Sequence, residues 1–273
     1  MQRLIINADD FALSPGVTAG ILEAHAAGTV TSTSMMVHCP GWDDGVRQAR
    51  ATTSLGVGLH FNLLVGTPLT HAASLTDSRT GRFPAFGSFM RRVLRLAIDG
   101  SEVAAECEAQ LAALRESGIV ITHIDSHRHT HAMPVIRGAV ASVAARHGLP
   151  LRRPVESARR FPNDIGSQVH RSLIAWSWRI TSGGAARTRA PDHFIGVSMQ
   201  GGARFGEQFV AVLDALPAGT TEMMVHPGRV DDALRAADSY TQQRERELEA
   251  LLSPTLRQRL RRGDIGLIGF AAL

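Results

Sequence analysis

Hydrophobic and polar positions along this chain alternate between two rhythms. The opening stretch RLIINADD (3–10) is an apolar run ending in acid, the pattern of a buried strand that delivers polar groups at its carboxyl end. SPGVTAGILEAHAAG follows with helical spacing: Ser14 is placed to cap it, Pro15 sits in the first turn and Gly28 stops it. TSTSMMV (31–37) predicts a second strand, GWDDGVRQARA its helix, and GVGLHFNLL (56–64) a third strand. Strand and helix in turn, joined by short links, argue for a parallel sheet wrapped by helices.

Residues 65–90, rich in Gly, Pro, Thr and Ser, break that rhythm and predict a long loop at the strand ends, either a lid or a disordered insertion. Helices are expected near 88–98 and 101–117, then a fourth strand, IVITHIDSH (119–127). MPVIRGAVASVAARHG reads as a helix with Pro134 in its first turn, and LPLRRP as a weak fifth strand. The 155–192 stretch is the least regular, with a helix around 165–181 and an irregular Arg/Gly/Pro segment. HFIGVSM (193–199) and TTEMMVHP (220–227) predict strands flanking a helix around 204–216. A charged helix at 239–252 and a final helix–strand pair close the chain. Seven or eight strands alternating with helices predict one α/β domain over 1–273, an irregular (β/α) TIM-like barrel. A doubly wound sheet would want a Gly-rich phosphate turn after the first strand, which NADDFALSPG is not.

Composition agrees: 44% apolar with 5% aromatic residues suits an Ala/Val/Leu-rich α/β protein of 273 residues. The net charge of +4 comes entirely from arginine, since the chain holds no lysine. The short arginine groups (Arg152 and Arg153 with Arg159 and Arg160; Arg257 to Arg262) read as solvated, so no nucleic-acid partner is expected. Cys39 and Cys107 lack metal spacing and read as free thiols of a reducing compartment. With no leader pattern and no long apolar run, a cytoplasmic location without a membrane span is expected. Homodimerisation is expected on general grounds.

Candidate chemistry concentrates at the strand ends. THIDSHRHTHAMP (122–134) holds four of the twelve histidines. On a strand, His123, Asp125 and His127 share a face, roughly 6.5–7 Å apart at successive Cα atoms. If the extended conformation continues, His129 and His131 lengthen the row. Neutral imidazoles beside a carboxylate at a strand end suit a metal ion. Spacing alone does not choose between His127 and His129. Asp9 and Asp10 end the first strand, His60 stands near the end of the third, and Glu222, Met224 and His226 share a face of the strand before Pro227. All fall at the carboxyl ends of strands, where barrels gather their catalytic groups.

NADDF (7–11), GTVTSTSMMV (28–37), GLHFN (58–62), THIDSHRHTH (122–131) and EMMVHPG (222–228), in that order, resemble the YdjC-like carbohydrate deacetylases. The resemblance spans the chain and implies an irregular β/α barrel and a divalent-metal amide hydrolase that releases acetate from an N-acetylated sugar. It implies that Asp10, His60 and His127 bind the metal, that Asp9 is the general base, and that His226 is the general acid or oxyanion partner. Asp125, His129, His131 and Glu222 would be supporting groups. Zinc or magnesium, with manganese or cobalt as further choices, suits such mixed ligands. Ala12 departs from the glycine usual after Asp-Asp-Phe, and the arginine-rich 155–192 stretch matches none of these motifs. A related branch acts on acetylated sugars of lipids such as hopanoids. The rivals are another metallohydrolase on the same scaffold (a phosphoesterase or a cyclic amidase), a sugar-binding protein without catalysis and an arginine-driven nucleic-acid binder. A carbamylated-lysine site is excluded by the absence of lysine.

Overall fold

Strand β1 (Gln2–Phe11) is buried from Leu4 onward and runs through the middle of a parallel sheet. In the computed structural model, which describes residues 1–156, 165–181, 183 and 185–273, helix α1 (Pro15–Ala26) follows it. Ser14 Oγ accepts from the Val17 amide as its N-cap, and Pro15 opens the first turn, as the local sequence predicts. The chain continues through β2 (Ser32–Met35), α2 (Trp42–Ala51), β3 (Gly56–Phe61), α3 (Phe86–Leu94), α4 (Gly100–Glu116) and β4 (Ile121–Ser126). After a 3-10 turn (His127–Ala132) come α5 (Ile136–Arg146), α6 (Ile165–Ile180), β5 (His193–Ile195), α7 (Phe205–Asp214) and β6 (Gly219–Val225). Helices α8 (Asp232–Ala237), α9 (Gln242–Leu252) and α10 (Pro254–Leu260) lead to β7 (Gly266–Leu267).

The strand order is β4-β3-β2-β1-β6-β5, with β7 added to the start of β1 and every pairing parallel. The sheet curls into an irregular half-barrel. Residues 151–156, the weak fifth strand of the sequence, touch β4 through one bridge (Ile124↔Leu151) and β5 through another (Glu156↔Phe194). They span the gap without completing a ladder.

Pleating sorts the side chains between two environments. Leu4, Ile6 and Ala8 of β1, Leu59 of β3, Ile124 of β4 and Met223 of β6 join the main core under the helices. The alternate positions, among them Asn7, Asp9, His60, Asp125 and Glu222, are equally buried but polar. Close packing inside is tight: a Cβ on Gly58 would lie 2.3 Å from His123 Cε1, so the glycine two residues before His60 makes room for that imidazole. Likewise, a Cβ on Gly20 of α1 would lie 2.6 Å from Gly228 Cα, in the turn after β6.

Several expectations change. The strand expected over 193–199 stops at Ile195, because Gly196 takes φ +147 with Met224 against it. α8 has no counterpart in the sequence reading. The loop after β3 is latched to α4: Glu106 accepts from the Leu69 and Thr70 amides (3.0 and 2.9 Å) and from Thr70 Oγ1 (2.7 Å). Glu102 accepts from the Ser74 amide, and Arg92 donates to the Ser74 and Thr76 carbonyls. Arg152 is wholly buried rather than solvated, while Arg159 and Arg160 lie outside the described residues. Cys39 and Cys107 are buried and free. Among the described residues no helix is long and apolar enough to cross a membrane.

Candidate active site

Asp9 and Asp10 are consecutive on a strand, and regular pleating would send them to opposite faces. The pairing of β1 with β2 slips between Ala8 and Phe11, and Asp10 takes φ +70, a left-handed conformation. This bulge re-aims the second carboxylate. Asp10 Oδ1 then lies 3.1 Å from His60 Nε2 and 2.9 Å from His127 Nδ1. The ligand-capable atoms of Asp10, His60 and His127 all fall within 4.8 Å of one another, from three buried residues on three segments.

The fit to a divalent ion rests on donor chemistry. One carboxylate oxygen and two imidazole nitrogens converge, the mixed set that borderline and hard divalent ions accept. A second trio, Asp9, His60 and Asp125, is equally compact. It is the poorer candidate, because its carboxylates are already taken up by an arginine and its imidazole nitrogen by Asp125.

That arginine is Arg152, 0% exposed. Its Nη1 donates to Asp9 Oδ2 (2.6 Å), Nη2 to Asp9 Oδ1 (2.7 Å), and Nε to Glu222 Oε1 (2.7 Å), while Asp125 Oδ2 lies 2.8 Å from Nη2. Asn7 Nδ2 also donates to Asp9 Oδ1 (2.9 Å). A bidentate grip fixes the carboxylate in plane and position. A second buried arginine, Arg244 of α9, donates through Nη2 to Asp10 Oδ2 (2.6 Å) and to Asp238 Oδ2 (2.9 Å).

Electrostatics follow from this pairing. Burial works against ionisation of Asp10, but Arg244, His127 and His60 hold its carboxyl well below the usual range. Burial likewise opposes ionisation of Asp125, which Arg152 and His60 hold low. Burial disfavours the His60 imidazolium, yet Asp125 at 2.7 Å from Nδ1 and Asp10 at Nε2 push its pKa up to about 10. Glu222 goes the other way: burial, with Asp125 and Asp9 nearby, outweighs Arg152 and raises it to about 8.

Asp9, Asp10, His60, His127, Asp125 and Glu222 are thus linked in one buried network. His226 follows β6, one step beyond the Ala8↔Val225 pair, which places it at the level of Asp9. Its amide donates to Glu247 Oε2 (2.6 Å), its ring packs edge-on to Tyr240, and neither ring nitrogen bonds to another described residue.

His129 and His131 do not continue the row. β4 ends at Ser126, and Arg128 and His129 both take φ +53, so the chain turns instead of extending. His129 packs edge-on to Phe194 and His131. His131 sits between Ser126 Oγ (2.5 Å from Nδ1) and the Arg152 carbonyl (3.1 Å from Nε2), and burial lowers its pKa to about 3. It braces the arginine's backbone. His123, the deepest of the row, stacks on Phe270 at 3.7 Å and is also lowered to about 3 by burial.

Arg152, Arg244, Asp238 and Asn7 escaped the sequence reading. The signal for Arg152 was a charge argument: so many carboxylates under one rim need a cation. For Arg244, inside the charged run QQRERELEALL, no local signal existed.

Comparison with known proteins gives a consistent picture. The chain is 34% identical to a carbohydrate deacetylase of Brevibacillus brevis, with 100% of both chains covered. It is 34% identical to one of Geobacillus stearothermophilus (97% and 96% covered) and 31% to one of Vibrio cholerae (100% and 96%). A crystal structure from Enterococcus faecalis V583, named a "putative cellobiose-phosphate cleavage protein", superposes with a TM-score of 0.79 at 28% identity, covering 99% of this chain and 98% of that one. The family model described as YdjC-like protein matches residues 3–262, and on that match the chain belongs to the YdjC-like family.

Proposed function

We propose that this protein is a divalent-metal-dependent carbohydrate deacetylase that hydrolyses the acetamide of an N-acetylated sugar to acetate and the free amine. The observation that carries the reading is the convergence of Asp10, His60 and His127 within 4.8 Å, beside a carboxylate, Asp9, clamped by a buried arginine. The three relatives named above are called carbohydrate deacetylases, which supports the substrate class.

Asp10 Oδ1, His60 Nε2 and His127 Nδ1 would hold the ion. When bound, it supplies Lewis acidity toward the acetamide carbonyl and toward water. The chain supplies the rest. Asp9 Oδ2 carries one hydrogen bond, from Arg152 Nη1, whereas Oδ1 carries two, so Oδ2 has lone-pair capacity left. It takes the proton of the attacking water as general base. His226, with both ring nitrogens unengaged among the described residues, stabilises the oxyanion and delivers a proton to the departing amine. Asp125 accepts from His60 Nδ1 and orients that ring, as outer-shell carboxylates do for ligating imidazoles. Arg152 fixes Asp9 against rotation.

The test is acetate release from N-acetylated chitobiose derivatives after chelator treatment, with zinc, magnesium, manganese or cobalt restored one at a time. Release that vanishes on chelation and returns with at least one ion is the expected result. Sugar binding without acetate release under every ion would instead assign a binding protein, and phosphate-ester cleavage in place of acetate release a phosphoesterase.

A further inference from the structure

Three deeply buried arginines with described partners each face two or more carboxylates: Arg152 (Asp9, Asp125, Glu222), Arg244 (Asp10, Asp238) and Arg259 (Asp214, Asp264). Arg137 of α5 breaks that pattern. It is 9% exposed, and among the described residues no carboxylate oxygen lies within 4.0 Å of its guanidinium. Its Nη1 donates to the Trp178 carbonyl (2.7 Å) and to Thr181 Oγ1 (3.2 Å), its guanidinium lies 3.8 Å over the Trp178 ring, and its buried Nε finds no partner among the described residues. Burial lowers its pKa with no opposing charge. A buried cation without a counter-charge is costly to keep.

Arg137 borders a cavity of about 280 Å3 where α5, the end of α6 and residues 185–190 meet the 151–153 stretch. Arg153 and Arg187 line the same cavity, and among the described residues no Asp or Glu does. Neither of these two arginines has a carboxylate within 4.0 Å among the described residues. Arg153 donates instead to the Asp192 carbonyl. Apart from Thr188, the remaining wall is apolar, made by Ala141, Leu151, the Trp178 indole and three further alanines, which strengthens a charge–charge contact there. None of the residues placed in the active site lines the cavity.

We propose that this cavity is a second binding site, for a small oxyanion of the phosphate class, held by the guanidiniums of Arg137, Arg153 and Arg187. Three cationic forks without an internal counter-ion match the several acceptor oxygens and the double charge of such a group. The proposal goes beyond the deacetylase reading and does not depend on it. The Trp178 ring, 6.1 Å from the His131 ring, stands between this cavity and the imidazole that braces the Arg152 carbonyl.

The experiment is titration calorimetry of the metal-stripped full-length protein with inorganic phosphate, with glycerol 3-phosphate, and with glycerol as the neutral control. The variants are R153Q/R187Q, at two exposed positions, and R137Q. Saturable binding of one or both phosphate probes is expected, with no heat from glycerol and a loss of about tenfold or more in the double variant. A preference for glycerol 3-phosphate identifies an organic ester as the natural source; equal affinity identifies free phosphate. No binding of either probe, or affinity unchanged in a double variant that melts like the wild type, overturns the proposal. R137Q adds a check on the buried position: with no counter-charge lost, no large loss of melting temperature is expected, together with weakened phosphate binding.

Discussion

Asp9 and Asp10 are adjacent in the chain yet held by different arginines, Arg152 and Arg244, and the proposed mechanism gives them different work. Asp9→Asn keeps the shape and one acceptor oxygen for Arg152 but removes the base. Turnover should fall by about 10²–10⁴-fold with metal stoichiometry unchanged; activity near wild type would mean that the base is elsewhere. His127→Ala should lose bound metal by mass spectrometry while His129→Ala retains it, because only the first imidazole lies beside Asp10. Ala12, the residue standing where the family motif usually has glycine, takes φ +67. Relieving a left-handed alanine is worth about 1 kcal/mol, so Ala12→Gly should raise the unfolding free energy by that order in urea titration, with turnover unaffected. At this scale the residues with a motif around them were legible. Arg152 and Arg244 were not, because an arginine's burial depends on carboxylates delivered by other strands.

Among the elements, β4 and the turn after it show where strand logic fails. The row His123, Asp125, His127 was readable from alternation, and its continuation through His129 and His131 was not, since two consecutive left-handed residues end it. His131 became a brace and His127 alone stayed at the rim. The loop after β3 carries a different lesson. Its Gly, Pro and Ser content predicted either a lid or disorder, whereas its anchors are Glu106 and Glu102 on α4, some thirty residues away in sequence. Glu106 is 0% exposed and satisfies two amides and a hydroxyl of the loop. Glu106→Ala should cost about 1–2 kcal/mol, since it takes the charged acceptor from three part-buried loop donors. Amide exchange should rise first at Leu69 and Thr70; uniform protection across the loop would contradict the latch.

For the whole molecule, the sheet order gathers the site: β1, β3, β4 and β6 end at one rim, and the helices cover the outer face. The parallel, helix-wrapped sheet of an irregular barrel was predictable from the strand–helix rhythm; its stopping at a half-barrel was not, because single bridges at Leu151 and Glu156 leave no trace in local pattern. Two pH effects follow from the buried network. The Glu222 carboxyl stands at about 8 against an ordinary 4.5, so between those values the folded state holds a proton that the unfolded state has released. That contribution is full below the lower value and declines as pH rises through the window. Glu222→Gln should flatten this part of the pH–stability curve; an unchanged slope would place the proton on another group. Metal uptake at the proposed site would also displace the proton that Asp125 and Asp10 hold on His60 well above the usual imidazole range, so affinity, measured by metal titration at several pH values, should fall as pH drops.

The central claim is that Asp10, His60 and His127 grip one divalent ion beside Asp9. Anomalous diffraction from crystals loaded with zinc or manganese tests it most directly. One peak in bonding contact with Asp10 Oδ1, His60 Nε2 and His127 Nδ1 is the expected result. A peak on Asp9, His60 and Asp125, or none near Asp10 in protein that releases acetate, would contradict it.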